Sequence, residues 1–501
     1  MLRNVGSTWV LTLAGIAATY VLTPFIIDKL GTEGYGTWTL ITSITGYISL
    51  LALGVPMACV RYLAQHVAER NQAEITRTIG SCAVLYLVIG SVALVAGGSL
   101  VLFFRTYEIP AVLADEASWA FAVMVLQVSL GFIGLLPEGI LFAHHDFVAR
   151  NAVRLAGVAL RFALTIGVLT VTHSLFILAT IQLFCLIFDF TVSLALIRWR
   201  YPSVRIDLTK FDAGVVRRVL SFSVYVLLLT AGARLAFETD ALVIGWVFGV
   251  GAIPFYAVAN SLVIYLMEFV LAIAAVVSPM ATKLNTEGRT DELREMFLTW
   301  SKIALSLSIA AAVFLGVIGP RFIGWWIDPS FEAPSGRVLQ ILVVSCLLFL
   351  PARGVALPIM IGLGKPQIPT IAFLAAGMLN VVMSIALARP FGLTGVAIGT
   401  AVPNVLFAIL VLAITCRELR VPFRSYFEYV VPRAVIGALP MFALVLWFRI
   451  GLDVQTMPGM VAAGCAMLVL FGVTWVFFVY RDDPYVDLRP HLGRLRAWSG
   501  A

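Results

Sequence analysis

Arg161, Arg234 and Arg353 stand well inside long apolar runs of this 501-residue chain. A charged side chain near the middle of a membrane span costs ~2.5–3.5 kcal/mol on insertion scales, so it faces a water-filled cavity or an opposite charge. Arginine presents a planar fork of donors that matches the oxygens of a phosphate group in pairs. The chemistry on offer is therefore anion recognition. One stretch carries it furthest. At ~100° per residue, Arg150, Arg154 and Arg161 fall within about 40° of each other on one helix face, which Gly157 shares. Arg150 and Arg154 also read as ordinary anchors at the inward end of their span, which leaves Arg161 as the residue requiring an explanation.

Acidic partners are present in Glu138, Asp189, Glu238, Asp240 and Glu268. Arg234 and Glu238 lie one helical turn apart and can neutralise each other across an i,i+4 face. Two readings of that pair stand: a structural ion pair, or an arginine whose counter-ion gives way to a phosphate. Asp240 projects from nearly the opposite face and, near the outer end of its span, is read as meeting solvent. Ser261 and Glu268 share a face, suited to lining a cavity, carrying coupling protons or pairing with a basic residue. Arg353 sits between Pro351 and Pro358, which kink or break a helix and free backbone groups. Arg61 closes the second span, at the inward mouth or simply as an anchor.

The elements that must position these groups are membrane helices. The chain is 61% hydrophobic and 12% charged, with a mean hydropathy of +1.00. A water-facing fold cannot hide that much apolar surface. About fourteen runs are long enough to cross a ~30 Å hydrocarbon core: 8–28, 38–59, 79–103, 118–142, 152–172, 174–197, 219–247, 252–281, 302–319, 337–361, 368–388, 393–415, 431–449 and 459–480. The first, behind Arg3, is read as an uncleaved span rather than a signal peptide. With the N-terminus in the cytoplasm, the inward loops collect most of the basic residues. The outward side keeps only Lys29, Arg105, Arg321, Arg337, Arg389 and Arg449, as the positive-inside rule requires. An even span count returns the C-terminus, with Arg489, Arg494 and Arg496, to the cytoplasm, where those three suit anionic lipid.

Several functions are excluded or disfavoured. The net charge of +7 is spread over inward loops, so it marks topology rather than nucleic acid. No loop exceeds about 20–25 residues, too short for a catalytic domain. Gly362-Leu363-Gly364-Lys365-Pro366 lacks the first glycine and the Ser/Thr of a nucleotide-binding loop and reads as a tight turn. His144-His145-Asp146 has no further ligand at useful spacing, so no metal and no cofactor is expected. The glycine spacings Gly245/Gly249 and Gly395/Gly399 read as close helix packing. The cysteines (Cys59, Cys82, Cys185, Cys346, Cys416, Cys465) form no CxxC pair and indicate neither a disulfide framework nor a metal knuckle.

Internal symmetry follows. Asp28-Lys29-Leu30-Gly31-Thr32-Glu33-Gly34-Tyr35-Gly36 links the first two spans, which end near Pro56-Met57-Ala58. Phe248-Gly249-Val250-Gly251-Ala252-Ile253-Pro254-Phe255-Tyr256 does the same after residue 217, ahead of Pro279-Met280-Ala281. The architecture expected is all-α and polytopic, with two six-helix lobes in pseudo-twofold symmetry (1–208 and 209–417). Two C-terminal helices and a cytoplasmic tail follow (418–501).

Here the chain resembles the Wzx-type polysaccharide-transport flippases of the MOP superfamily, which also holds MATE drug exporters and lipid II flippases. The resemblance rests on Asn4 through Trp9, Pro24-Phe25-Ile26-Ile27, Leu30 through Gly36, Leu53-Gly54 and Arg61-Tyr62. In the second half it rests on Phe255 through Asn260, Leu379-Asn380 and Gly392 through Thr400. It covers about 1–415, with the last two spans matching in number only. It implies a V-shaped pair of lobes that alternate in access and move an undecaprenyl-pyrophosphate-linked oligosaccharide, an O-antigen or exopolysaccharide unit, across the bacterial inner membrane. No covalent bond is made. On that reading Arg161, Arg234, Arg353, Arg154 and Arg61 hold the pyrophosphate, and Glu238, Glu268 and Asp189 act as counter-ions or coupling groups. Membrane lipids, H+ or Na+, and polymerase machinery are the partners implied. A MATE-like drug exporter is the runner-up, disfavoured because intramembrane arginines repel cations. A membrane-embedded glycan polymerase or ligase would need an outward loop with catalytic groups, and 320–336 offers only Arg321, Asp328 and Glu332.

Overall fold

The structure, a computed structural model, describes residues 2–52, 54–104 and 107–485, with no side-chain description for 2–5, 102–103 and 221–226. Arg105 and the tail arginines Arg489, Arg494 and Arg496 lie outside the described residues. The hydrocarbon offers no water to backbone N–H and C=O groups, so each spanning segment must satisfy them internally. Among the described residues every regular element is accordingly a helix.

Two compact units are formed. The first holds residues 1–234 and 241–254. Its helices are α1 (Leu2–Ile48), α2 (Val55–Ala68), α3 (Gln72–Phe104), α4 (Ala111–Ala143), α5 (Phe147–Leu169), α6 (Leu175–Arg200), most of α7 (Ala213–Phe237) and most of α8 (Thr239–Phe248). The second holds 235–240 and 255–501. It contains α9 (Ile253–Leu271), α10 (Ala274–Thr286), α11 (Thr290–Val317), α12 (Gly319–Trp326), α13 (Glu332–Pro351), α14 (Leu357–Gly362), α15 (Gln367–Glu418), α16 (Phe423–Val430), α17 (Pro432–Ile450) and α18 (Met457–Thr474).

Among the described residues, 11 helices are long and apolar enough to cross a bilayer, against the fourteen runs read from the sequence. The difference has a structural cause. α1 and α15 are 47 and 52 residues long, twice a single crossing, and each absorbs two runs. The chain turns inside them at Gly31 (φ 71°) and Gly392 (φ 64°), a backbone region that favours glycine. The run 219–247 is instead divided at Glu238 into α7 and α8.

The paired layout is visible in how the linkers turn. Gly31 in the first and Gly249 (φ 79°) in the second both take positive φ. The second span of each half is interrupted, by the 3-10 turn Ser49–Ala52 ahead of α2 and at 272–273 between α9 and α10. Gly395 and Gly399 do allow close packing: a Cβ on Gly399 would lie 2.6 Å from the Ser384 amide nitrogen, so the two limbs of α15 touch backbone to backbone.

Pro351 and Pro358 bracket a π-helical turn, Ala352–Ala356, in which the Leu357 N–H reaches back five residues to the Ala352 carbonyl. The widened turn lies just before Pro358, which has no N–H to continue the helical bonding. The cysteine expectation is corrected. Cys59 on α2 and Cys82 on α3 form a disulfide, with Cα atoms 6.5 Å apart. It is made by packing α2 on α3, which sequence spacing does not reveal.

Candidate functional site

The stripe on α5 brings several charges together inside a spanning region. Asp146 starts α5 by accepting from the Ala149 N–H, and it holds Arg200 at 2.6 Å and the Tyr201 hydroxyl at 3.1 Å. That capping role explains the His144-His145-Asp146 run, whose first histidine ring nitrogen lies 2.9 Å from the Ile140 carbonyl. One turn on, buried Asn151 donates to Ser7 and Thr8 of α1 at 3.0 and 3.1 Å. The orientation of α5 is thereby fixed from both sides.

Arg154 donates Nε and Nη2 to the two oxygens of Glu138 on α4, at 3.1 and 2.6 Å. Arg150 approaches the same carboxylate at 3.7 Å and lies over the Phe142 ring, 5.5 Å from its centroid. Further along, Arg161 stands beside Asp189 and Cys185 of α6. A Cβ on Gly157 would lie 2.9 Å from the Asp189 Cγ, so only glycine admits that carboxylate at the face of α5. Three arginines thus meet two carboxylates, leaving an excess positive charge. Arg150 Nε, Arg161 Nε and Asp189 Oδ1 are buried without a hydrogen-bond partner. Buried polar atoms without partners are costly; the two guanidinium Nε–H groups are donors that an anion's oxygens would satisfy, whereas Asp189 Oδ1 needs a donor.

The remaining sequence candidates are dispersed. Arg234, in the last turn of α7, donates to Ser49 Oγ at 3.4 Å, and its carbonyl accepts from the Tyr47 hydroxyl at 3.2 Å. It is thereby placed at the interruption of the second span. Glu238 sits at the break after α7 rather than one turn along a continuous helix. Arg61 is exposed on α2, and Glu268 is exposed on α9. Ser261 Oγ donates to the Val258 carbonyl. Arg353 lies over the Phe373 ring at 4.8 Å, in a cluster with Phe349 and Phe407. Among the described residues it has no carboxylate partner.

The reading of Asp240 as solvent-facing is corrected: it is 2% exposed. Its carboxylate accepts from the Tyr256 hydroxyl at 2.6 Å and from Thr400 Oγ1 at 3.0 and 3.1 Å. Asn380 donates to Thr400 Oγ1 at 2.9 Å and to the Ala236 carbonyl at 3.2 Å. Ser384 Oγ contacts Asn380 Oδ1 and the Val396 carbonyl at 3.5 and 3.4 Å. Among the described residues no basic side chain pairs with Asp240. A buried carboxylate bonded to two hydroxyls, with no basic partner among the described residues, is suited to a proton or a small cation. Only the rarity of an aspartate inside a span signalled it; its partners come from α9 and both limbs of α15.

Comparison with known proteins bears on the family and the fold. The family model described as "Polysaccharide biosynthesis protein" matches residues 1–285, more than half of the chain. The "Uncharacterized membrane protein EpsK" of Bacillus subtilis is 22% identical over 476 residues, covering 90% of each chain. A "Putative O-antigen transporter" of Shigella flexneri is 20% identical over 399 residues, covering 77% of this chain and 90% of its own. Among solved structures, the lipid II flippase MurJ in an inward closed conformation superposes with a TM-score of 0.73 at 12% identity, over 96% of this chain and 99% of its own. An inward-facing MATE family multidrug transporter of the MOP superfamily gives 0.72 at 18% identity, over 80% and 94%. At these identities the two structures speak for the fold.

Proposed function

The chain belongs to the polysaccharide biosynthesis protein family, and we propose that it is a flippase for an undecaprenyl-pyrophosphate-linked oligosaccharide. The observation that carries the reading is the face of α5, where Arg150, Arg154 and Arg161 outnumber Glu138 and Asp189 and keep buried donors unmatched. The polysaccharide biosynthesis family and the putative O-antigen transporter relative support a glycan on the lipid.

The mechanism is one of exchange. In the cluster Glu138 holds Arg154 and Arg150, and Asp189 stands beside Arg161. A pyrophosphate entering along α5 takes over the guanidinium forks, and the displaced carboxylates hold the cluster's charge balance when it leaves. Arg234 at the interrupted second span, Arg61 and Arg353 are further contacts for the head group. The lobes 1–208 and 209–417 alternate access by rocking, with 418–501 appended. The chain works in the bacterial inner membrane with both termini in the cytoplasm, beside the polymerase that consumes its product. It breaks no covalent bond. Asp240, in its cradle of Tyr256, Thr400, Asn380 and Ser384, is where a coupling proton or sodium ion enters the cycle; Glu238, Glu268 and Asp189 act as counter-ions.

The test is deletion of the gene, followed by quantification of glycan-charged undecaprenyl-pyrophosphate on the cytoplasmic leaflet. Build-up relieved by wild type, but not by an equally expressed Arg161→Ala protein, supports the reading. No build-up, with altered tolerance to cationic drugs, moves the protein to the exporters that share its fold.

A further inference from the structure

A second charged site lies in the second unit, at the Val317 end of α11. A cavity of about 440 Å³ is lined by Glu332, Gly336, Arg337 and Gln340 of α13, by Pro320 of α12 and by Arg449 at the end of α17. Its walls are built rather than incidental. Gln340 Nε2 donates to the Gly316 carbonyl at 2.8 Å and Arg449 Nη1 to the Val317 carbonyl at 2.9 Å, so both side chains cap the C-terminus of α11. Gly336 faces Pro320 so closely that a Cβ there would lie 2.7 Å from the proline ring.

The charges in this cavity are not used up by the protein. The neighbouring carboxylate, Asp453, is already taken by Arg321 at 2.6 Å and Gln455 at 2.9 Å. Among the described residues none of Glu332, Arg337 and Arg449 forms an ion pair. Two guanidinium groups and one carboxylate therefore share a cavity that is positive by one charge. The short helix α12 carries exposed Trp325 beside it, and tryptophan gathers where a membrane meets water.

We propose that this cavity binds a zwitterionic phosphodiester bearing a primary ammonium. Its phosphate would lie on Arg337 and Arg449 and its ammonium on Glu332. The guanidinium forks match phosphate oxygens, and the single carboxylate selects a partner that also carries a positive charge, against one that is only anionic. A phosphatidylethanolamine headgroup and free phosphoethanolamine share this chemistry; the flanking aromatic helix favours the lipid. The site is separate from the α5 cluster and independent of what that cluster transports.

Native mass spectrometry of the full-length protein released from nanodiscs tests it. Nanodiscs would contain equal phosphatidylethanolamine, phosphatidylglycerol and phosphatidylcholine, with and without soluble phosphoethanolamine. Wild type should retain phosphatidylethanolamine over phosphatidylglycerol by about tenfold, the worth of one well-placed charge-assisted contact. Glu332→Gln should erase that preference while keeping phosphatidylglycerol bound. Arg337→Gln, at an exposed position that leaves the fold intact, should lower retention of both phosphate lipids together. Competition by soluble phosphoethanolamine alone, without retained lipid, would reassign the site to a free metabolite and overturn the lipid source. Equal retention in wild type and both variants would overturn the site itself.

Discussion

Arg154 and Glu138 are joined by a two-point contact across α5 and α4, at 3.1 and 2.6 Å, with both side chains only part-buried. Side-on pairing of this kind fixes orientation as well as charge. Its exposure limits its worth, because solvent screens the attraction; a double-mutant cycle with Arg154→Ala and Glu138→Ala should give a coupling of about 0.5–1 kcal/mol. The functional effect should be larger and opposite in kind for the two partners. Arg154→Ala should weaken binding of a polyisoprenyl diphosphate, whereas Glu138→Gln, which frees two arginines, should tighten it and slow release. Equal weakening by both variants in a binding titration would contradict the exchange mechanism.

Gly157 offers a sharper probe of the same face. An added Cβ would lie 2.9 Å from Asp189 Cγ, and overpacking of this sort costs about 1–3 kcal/mol. Gly157→Ala should lower thermal stability and transport together. Gly157→Ala with Asp189→Ala should recover the stability, because the obstructing carboxylate is gone, but not the transport. Recovery of both would reduce Asp189 to a packing residue.

Lys302 and Asp483 form the most deeply buried ion pair described. Lys302 is 1% exposed, its Nζ lies 2.5 Å from Asp483, and the Tyr429 and Tyr480 rings cover it at 4.5 and 4.8 Å. The pair ties the segment after α18 to α11. Removing one member leaves an uncompensated charge, so Lys302→Met should destabilise by about 3–5 kcal/mol, and adding Asp483→Leu should restore much of that. Burial pushes the Asp483 carboxyl up, but bonds from Lys302, the Tyr485 N–H and Tyr429 outweigh it and hold the group below the ordinary aspartate range. Its stabilising contribution is then complete above the unfolded-state value of about 3.9 and is lost as pH falls through the depressed folded value. Thermal melts of wild type and the double variant between neutral pH and about pH 3 should converge on the acid side.

Asp240 should govern energy coupling rather than substrate affinity. Asp240→Asn keeps an acceptor for Tyr256 and Thr400, so the fold should survive, while a proton or sodium gradient should no longer change the transport rate. A gradient response of wild-type size in the variant would remove Asp240 from the coupling step.

The legibility of these features in the sequence follows the range over which each is built. The α5 stripe depends only on helical period, so Arg150, Arg154 and Arg161 fall together from spacing alone. Glu138 and Asp189 are recognisable as intramembrane acids, but their assignment to particular arginines needed the packing of α4 and α6 on α5. The irregular turn at Arg353 is announced by Pro351 and Pro358, although not its π-helical form. The Asp240 network and the Cys59–Cys82 pair escape a linear reading because their members come from helices brought together only by the fold. The sequence separates the runs on either side of Gly31 and Gly392, and α1 and α15 each carry two of them because the chain leaves helical geometry at that one glycine.

The most direct measurement reconstitutes the purified protein in vesicles with a fluorescent or tritiated undecaprenyl-pyrophosphate-linked oligosaccharide. The fraction of glycan oxidised by external, membrane-impermeant periodate is then followed over time. Wild-type vesicles should expose the inner-leaflet glycan progressively, while vesicles with equally folded Arg161→Ala protein should keep it protected, as protein-free vesicles do. Protection in wild-type vesicles, or equal exposure by Arg161→Ala, would contradict the account.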